Sequence, residues 1–236
     1  MNIIRHVVGG VLSVSPKCIQ TRFKEEAELW YWRRVLKASN GEFYNGHFKS
    51  RFTDLFSLDE SHFTNKRILD IGCGPLGSLE WATGAAERVG VDPLADRYVE
   101  LNGGRQSMKY VRSGSESLPF EDACFEVVSI FNALDHVEDV ASSVAEIQRV
   151  LTPGGDLLLI VEIDHSATVT EPHSLREEIL ADFDQCDVIY QVIYAIRADH
   201  NVYGSIKEAN PRKQVGDPAI LCARLVKRLT DTVSGS

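Results

Sequence analysis

The sequence predicts an α/β protein built on an open, mostly parallel sheet with helices wound on both faces. Three observations carry that prediction. An apolar run at residues 68–71 passes directly into Gly72, Gly74 and Gly77. Short apolar runs then alternate with helix-like segments, the pattern of a sheet built from strand–helix–strand units. The run at residues 156–163 is apolar almost throughout, the composition of a strand buried on both faces.

In chain order, residues 3–14 come nearest to a targeting segment, but Arg5, His6 and two glycines interrupt them. No small-residue cleavage motif follows clearly, so a signal peptide is not expected. After Pro16, residues 18–38 read as a helix. Phe23, Ala27, Trp30 and Arg34 recur at helical spacing, and Glu25, Glu26 and Glu28 occupy its first half. Asn40-Gly41 ends it, and an aromatic-rich segment with Phe43, Tyr44, Phe48, Phe52 and Phe56 runs to about Leu58. Residues 1–60 are therefore expected to form a helical cap over the strand ends, in one domain with the α/β body at 61–236. Its aromatics would pack the cap onto that body, and Trp30, Tyr31 and Trp32 are candidates for the substrate entrance.

The body opens with a strand at 67–71 and a helix at about 76–85. A strand follows at 88–91, a helix near 94–101, and a third strand at 108–112. After the loop 113–123, a fourth strand covers 125–131. The helix at 140–151 places Val144, Ile147, Val150 and Leu151 on one face. Thr152-Pro-Gly-Gly reads as a turn, since proline and two glycines cannot continue a helix. It launches the fifth strand at 156–163. A loop at 164–171 leads to a helix near 173–183, and two long strands are expected at 186–196 and 219–227. The segment between them, 197–218, lacks clean periodicity and reads as a functional lid or a disordered connection.

With 236 residues the chain is long enough for one substantial domain. Its net charge of −9 and lack of a dense basic run argue against nucleic acid as substrate. The five cysteines are scattered and never form Cys-x-x-Cys, which argues against a disulfide framework or zinc site and fits the reducing cytoplasm. No run approaches the roughly 20 apolar residues of a membrane span.

The glycine loop points to a nucleoside-containing cofactor. Glycines let backbone approach the ligand, a helix N-terminus offers unpaired N–H groups, and a carboxylate about twenty residues later, Asp92, accepts from ribose hydroxyls. Nicotinamide and flavin proteins share this signal. Asp70, two residues before the first glycine, suits an ammonium better than a pyrophosphate. Little chain remains after the sheet for a separate dehydrogenase domain.

The motifs Ile68-Leu-Asp-Ile-Gly-Cys-Gly-Pro, Val91-Asp-Pro, Glu116-Ser-Leu-Pro-Phe, Phe125-Glu-Val-Val, Leu134-Asp-His-Val and Arg149-Val-Leu-Thr-Pro-Gly-Gly occur in that order. Together, over residues 67–163, they resemble the class I S-adenosylmethionine-dependent methyltransferases, most closely the small-molecule (type 11-like) branch. The resemblance implies a seven-stranded Rossmann-like sheet with an antiparallel C-terminal strand, and S-adenosylmethionine as cofactor. It implies that Gly72, Cys73 and Gly74 approach the amino-acid end, with Asp70 favouring the ammonium, and that Asp92 and Pro93 lie at the ribose. Ser115 and Glu116 would lie at the adenine, where Gly114 departs from the family's usual acidic residue. Asn132 would line the methionine end.

His136, just beyond the fourth strand, is the general-base candidate, because imidazole titrates near working pH; a structural histidine is the alternative. His165 and Glu171, after the fifth strand, are candidate substrate contacts. Their spacing matches no recognised ligand motif, so no metal is expected. The expected reaction is O-methylation of a small molecule such as a sugar or secondary metabolite, with neither nucleic acid nor membrane as partner. The alternatives are N-methylation, an inert cofactor-binding protein, and a nicotinamide-dependent reductase.

Overall fold

Side-chain alternation along the apolar runs decides which faces they cover. Leu69, Ile71, Val128, Ile130, Leu157 and Leu159 turn to one face of the sheet, while Ile68, Val127, Phe131, Leu158 and Ile160 turn to the other. The computed structural model describes residues 17–168 and 171–229, with side chains from residue 21 onward; the apolar run at 3–14 lies outside them. Among the described residues, the strands are β1 (Arg67–Ile71), β2 (Glu87–Asp92), β3 (Lys109–Arg112), β4 (Phe125–Phe131), β5 (Leu151–Ile163), β6 (Cys186–Ala195) and β7 (Ala219–Lys227). They form one seven-stranded sheet in the order β3-β2-β1-β4-β5-β7-β6. β1 to β5 pair in parallel, and β7 runs antiparallel between β5 and β6. This is the mixed sheet the sequence predicts. The strand order reverses at β1 and β4, so the ligand crevice of an open α/β sheet lies beyond their carboxyl ends.

The helices are α1 (Lys17–Ala38), α2 (Phe48–Phe52), α3 (Ala95–Asn102), α4 (Val140–Val150), α5 (Ile179–Asp182) and α6 (Val202–Glu208). On one face α4 sets Val144, Ile147 and Val150 against the sheet, with Ile179, Leu180 and Phe183 beside them. Asp139 caps α4 by accepting from the Ser142 N–H at 3.1 Å. The opposite face is covered by Phe48, Phe52, Phe56 and Phe63, with Phe52 packed on Phe131 at 4.8 Å between ring centroids. Phe48, Phe52 and Phe56 of the aromatic-rich segment are therefore core of the sheet face. α1 and the start of that segment lie near the strand ends, where Leu29 packs on Leu94 and Tyr98, and Phe43 meets Trp32 at 5.9 Å.

Three expectations are corrected, and a fourth is narrowed. No helix forms between β1 and β2; residues 76–86 make successive short turns, among them Glu80 N–H to Gly77 O at 3.1 Å and Ala82 N–H to Leu79 O at 3.1 Å. Arg88 explains part of this, since its guanidinium takes the Leu79 and Glu80 carbonyls at 3.3 and 3.1 Å. Those are acceptors a helix would use itself. Thr152-Pro-Gly-Gly is not a turn ahead of the strand but an irregularity inside β5, whose pairing shifts from Phe125↔Leu151 to Val127↔Asp156. The helix expected at 173–183 shrinks to α5, because the preceding residues extend to hold the loop after β5. Residues 197–218 are an ordered connection. Asn201 caps α6 by accepting from the Gly204 N–H at 2.9 Å, and the Arg51 guanidinium stacks on Tyr203 at 3.3 Å.

One close approach positions the crevice. Gly72 has φ +70°, and a Cβ there would lie 2.5 Å from the Ala133 Cβ. Gly72→Ala should therefore cost about 3 kcal/mol in denaturant unfolding, from left-handed strain plus overpacking. Gly103→Ala shares the positive φ but has nothing within 4 Å of the new methyl, and should cost about 1 kcal/mol. Equal costs would show that the contact with Ala133 is unimportant.

Candidate active site

Asp70, next to last in β1, is a buried carboxylate. Ser129 of β4 donates to Oδ1 at 2.5 Å, and Ser78 from the glycine segment donates to Oδ2. Burial pushes this carboxyl up to about 6, against the lowering effect of the two hydroxyls. Both oxygens are engaged within the protein, so Asp70 ties β1, β4 and the glycine loop together. Cys73 beside it is a packed thiol, pushed well up by burial; a Cβ on Gly90 would lie 2.6 Å from its sulfur. Gly90 is what makes room for it.

Asp92 ends β2. Its Oδ1 accepts from the Leu94 N–H at 2.8 Å, across exposed Pro93, and its Oδ2 accepts from the Gly74 N–H at 3.3 Å. Burial, with the charge of Glu28 next, raises this carboxyl to about 7 despite the two amides. Glu28 comes from α1 and accepts from Tyr98 Oη at 2.7 Å and Trp32 Nε1 at 3.4 Å. Trp32 lies over the glycine loop, 3.9 Å from where a Gly74 Cβ would stand, and Tyr31 meets its edge at 5.1 Å. The structure thus brings Trp32 to the glycine loop, with Tyr31 against its ring.

The segment after β3 explains its own departure from pattern. A Cβ on Gly114 would lie 2.6 Å from Glu116 Oε2, so the missing side chain leaves space that the Glu116 carboxylate fills. Glu116 Oε1 accepts from the Glu138 N–H at 2.8 Å. The Ser115 hydroxyl pairs with Ser143 of α4 at 2.8 Å, so only its backbone is left for a ligand.

Beyond β4, Asn132 holds φ +53° and donates its N–H to Ile160 O at 2.6 Å. Its Oδ1 is buried without a hydrogen-bond partner. Four further groups converge there from two loops. His136 Nε2 lies 3.8 Å from Asp135 Oδ1 and 3.9 Å from Glu171 Oε1, and His165 Nε2 lies 3.6 Å from Asp135 Oδ2. His173 locks the loops together through the Val137 carbonyl at 2.9 Å. His136 is thus one member of a cluster with the substrate candidates His165 and Glu171. Asp135, which precedes His136 in sequence, lies between the two histidines. Burial raises the Asp135 carboxyl and the Glu171 charge adds to the rise, while His136 opposes it.

Sequence reasoning missed Ser78, Ser129 and Glu28. A serine in an apolar strand at Ser129 was the one available signal.

A family model described as a methyltransferase domain matches residues 69–159. The uncharacterised methyltransferase YcgJ of Bacillus subtilis is 27% identical over 146 residues, covering 54% of this chain and 57% of YcgJ. The YcgJ crystal structure matches with a TM-score of 0.53 at 22% identity, covering 71% of this chain and 94% of that one. The ubiquinone/menaquinone biosynthesis C-methyltransferase UbiE of Idiomarina loihiensis is 28% identical over 122 residues, 52% of this chain and 44% of that protein. The ubiquinone biosynthesis O-methyltransferase of Hahella chejuensis is 38% identical over 108 residues, 43% and 45% of the two chains. The matches thus span roughly half the length of these curated relatives.

Residues 69–159, which span β1 to most of β5, are thus similar to a methyltransferase domain. A protein of Mesorhizobium loti described as an S-adenosylmethionine-dependent methyltransferase shares the fold, with a TM-score of 0.54 at 17% identity. The residues present fit S-adenosylmethionine as cofactor. Gly72 and Gly74 present bare backbone, Asp92 offers a buried acceptor, and the orphaned Asn132 Oδ1 asks for a donor such as an ammonium.

The Asp70 carboxyl gives a pH signature. The folded chain keeps a proton that the unfolded chain releases above about pH 4, so this group's stabilisation is full below that pH and is lost as pH rises through about 6. Asp70→Asn should remove about 1–3 kcal/mol of pH dependence across that interval. Thermal unfolding of the ligand-free protein against pH checks this. An unchanged slope would place Asp70 in solvent contact.

Proposed function

We propose that the chain transfers a methyl group from S-adenosylmethionine to an oxygen of a small-molecule acceptor. One observation carries the reading: the glycine loop, Asp92, Asn132 and the Asp135–His136–His165–Glu171 cluster share the carboxyl edge of one sheet. When bound, the cofactor supplies an electrophilic methyl on a sulfonium. The chain's own residues must align the acceptor in line with it and take up the acceptor's proton. Gly72 and Gly74 hold the amino-acid end, Asn132 accepts from its ammonium, and Asp92 accepts from the ribose hydroxyls. The backbone at Ser115 and the Glu116 segment border the adenine. Trp32 and Tyr31 on α1 screen the glycine loop from water.

The nitrogen- and carboxylate-rich cluster supports a hydroxyl as acceptor, since its groups are acceptors suited to a proton. A sugar or secondary metabolite is the acceptor class we favour. The net charge of −9 supports a small molecule rather than nucleic acid. Among the described residues no helix is long and apolar enough to cross a membrane, and Cys73, Cys124, Cys186 and Cys222 are buried free thiols, which supports a reducing cytoplasm.

Calorimetric titration with S-adenosylhomocysteine tests the cofactor residues. Asp92→Ala should weaken binding by roughly 10- to 100-fold, the worth of hydrogen bonds to a charged acceptor. Wild-type affinity should rise with pH through about 7, as Asp92 ionises and becomes a full acceptor. Binding of NADH in place of S-adenosylhomocysteine would overturn the reading.

A further inference from the structure

The cluster after β4 and β5 contains groups that do not satisfy one another. Asp135 is 0% exposed, Glu171 1% and His165 8%, yet both Asp135 oxygens and both histidine Nε2 atoms are buried without a hydrogen-bond partner. Buried polar atoms are rarely left this way, and a fully buried carboxylate without a donor is costly. His165 sharpens the point. Its Nδ1 lies 3.0 Å from the Ser166 carbonyl, which can only accept, so Nδ1 carries the proton. In the neutral ring Nε2 is then a bare lone pair aimed at the Asp135 carboxylate, 3.6 Å away. Two acceptors facing each other in a buried site call for a proton or a metal ion beside them.

We propose that this cluster is a binding site for one divalent transition-metal ion, held by Asp135, His136 and Glu171, with His165 beside the Asp135 carboxylate. Ligand atoms each about 2.1 Å from one ion stand about 3.0–4.2 Å apart, depending on the angle between them. The separations of 3.8 and 3.9 Å from His136 Nε2 to Asp135 and Glu171 fall in that range, and one ligand atom from each of the three lies within 4.8 Å of the others. Two carboxylates neutralise the ion, and mixed imidazole and carboxylate donors favour zinc, iron, manganese or cobalt over magnesium or calcium. The outer contacts are those of a ligand shell. Ser166 O orients His165, and Thr168 Oγ1 donates to Glu171 Oε2 at 3.3 Å.

The His136 side chain is 28% exposed while its Nε2 is buried, so the site is reached past that ring, where a further coordination position would lie. Resting on the methyltransferase reading, that position would receive the acceptor's oxygen. The acceptor class narrows to molecules with an acidic or chelating hydroxyl, whose proton the metal makes easier to lose.

The test uses the untagged full chain, stripped with chelator and desalted. Titration with Co²⁺, followed by visible absorption, should show ligand-field bands saturating at one equivalent, and Zn²⁺ should displace it while Mg²⁺ should not. Asp135→Asn and His136→Gln should each weaken Co²⁺ at least tenfold, with far-UV circular dichroism confirming the fold. Should Asp135→Asn fail to fold, Glu171→Gln carries the comparison. Absence of saturable bands, or equal affinity in the folded variants, would overturn the proposal. S-adenosylhomocysteine binding, measured on the same stripped protein, separates the two readings. Metal binding without it would overturn the cofactor reading and leave the metal site standing; the converse would overturn the metal site alone.

Discussion

The structure depends on how closely the carboxyl ends of β1 and β4 are held together. Asp70 receives hydroxyls from Ser129 on one strand and Ser78 on the following segment, and Gly72 has no Cβ where Ala133 crosses it. These contacts fix the glycine loop against the residues that follow β4. Because they are buried, they act in a low dielectric, where misplacing a donor or adding a methyl is expensive. The crevice is therefore shaped by the sheet itself.

The N-terminal helix adds a second layer of control over the same crevice. Leu29 and the Glu28–Tyr98 hydrogen bond seat α1 against α3, and Trp32 is carried over the glycine loop. The seat has an electrostatic consequence. Glu28 adds negative potential at Asp92, a carboxylate already penalised by burial. Ligand hydroxyls donating to Asp92 would relieve part of that penalty, so the helix that covers the crevice also makes it more receptive to donors.

The loops after β4 and β5 supply the chemistry opposite the cofactor residues. Neither loop carries a recognisable ligand motif. His173 joins them through Val137, and the Ser174 hydroxyl donates to the His165 carbonyl at 2.5 Å, so the pairing of Asp135 with His165 is enforced by backbone contacts. Residues 30 apart in the chain become neighbours because β4 and β5 are parallel and adjacent.

Most of the fold and the cofactor edge was legible in the sequence, because both depend on local pattern. Alternating apolar runs specify strands, Gly72 and Gly74 mark a backbone that must approach a ligand, and Asp92 follows at the spacing of a ribose acceptor. What misled was local pattern overruled by distant partners. Arg88 takes the carbonyls of the helix expected at 76–85, and Phe48, Phe52 and Phe56 lie on the sheet face. Only the tertiary structure decided that Asp70 binds serines, that Glu116 fills the space left at Gly114, and that Asp135, His136, His165 and Glu171 form one group. The physical reason is the same for each: a buried polar atom takes its role from whatever donor or acceptor the fold brings within about 3–4 Å, and that partner lies far away in sequence.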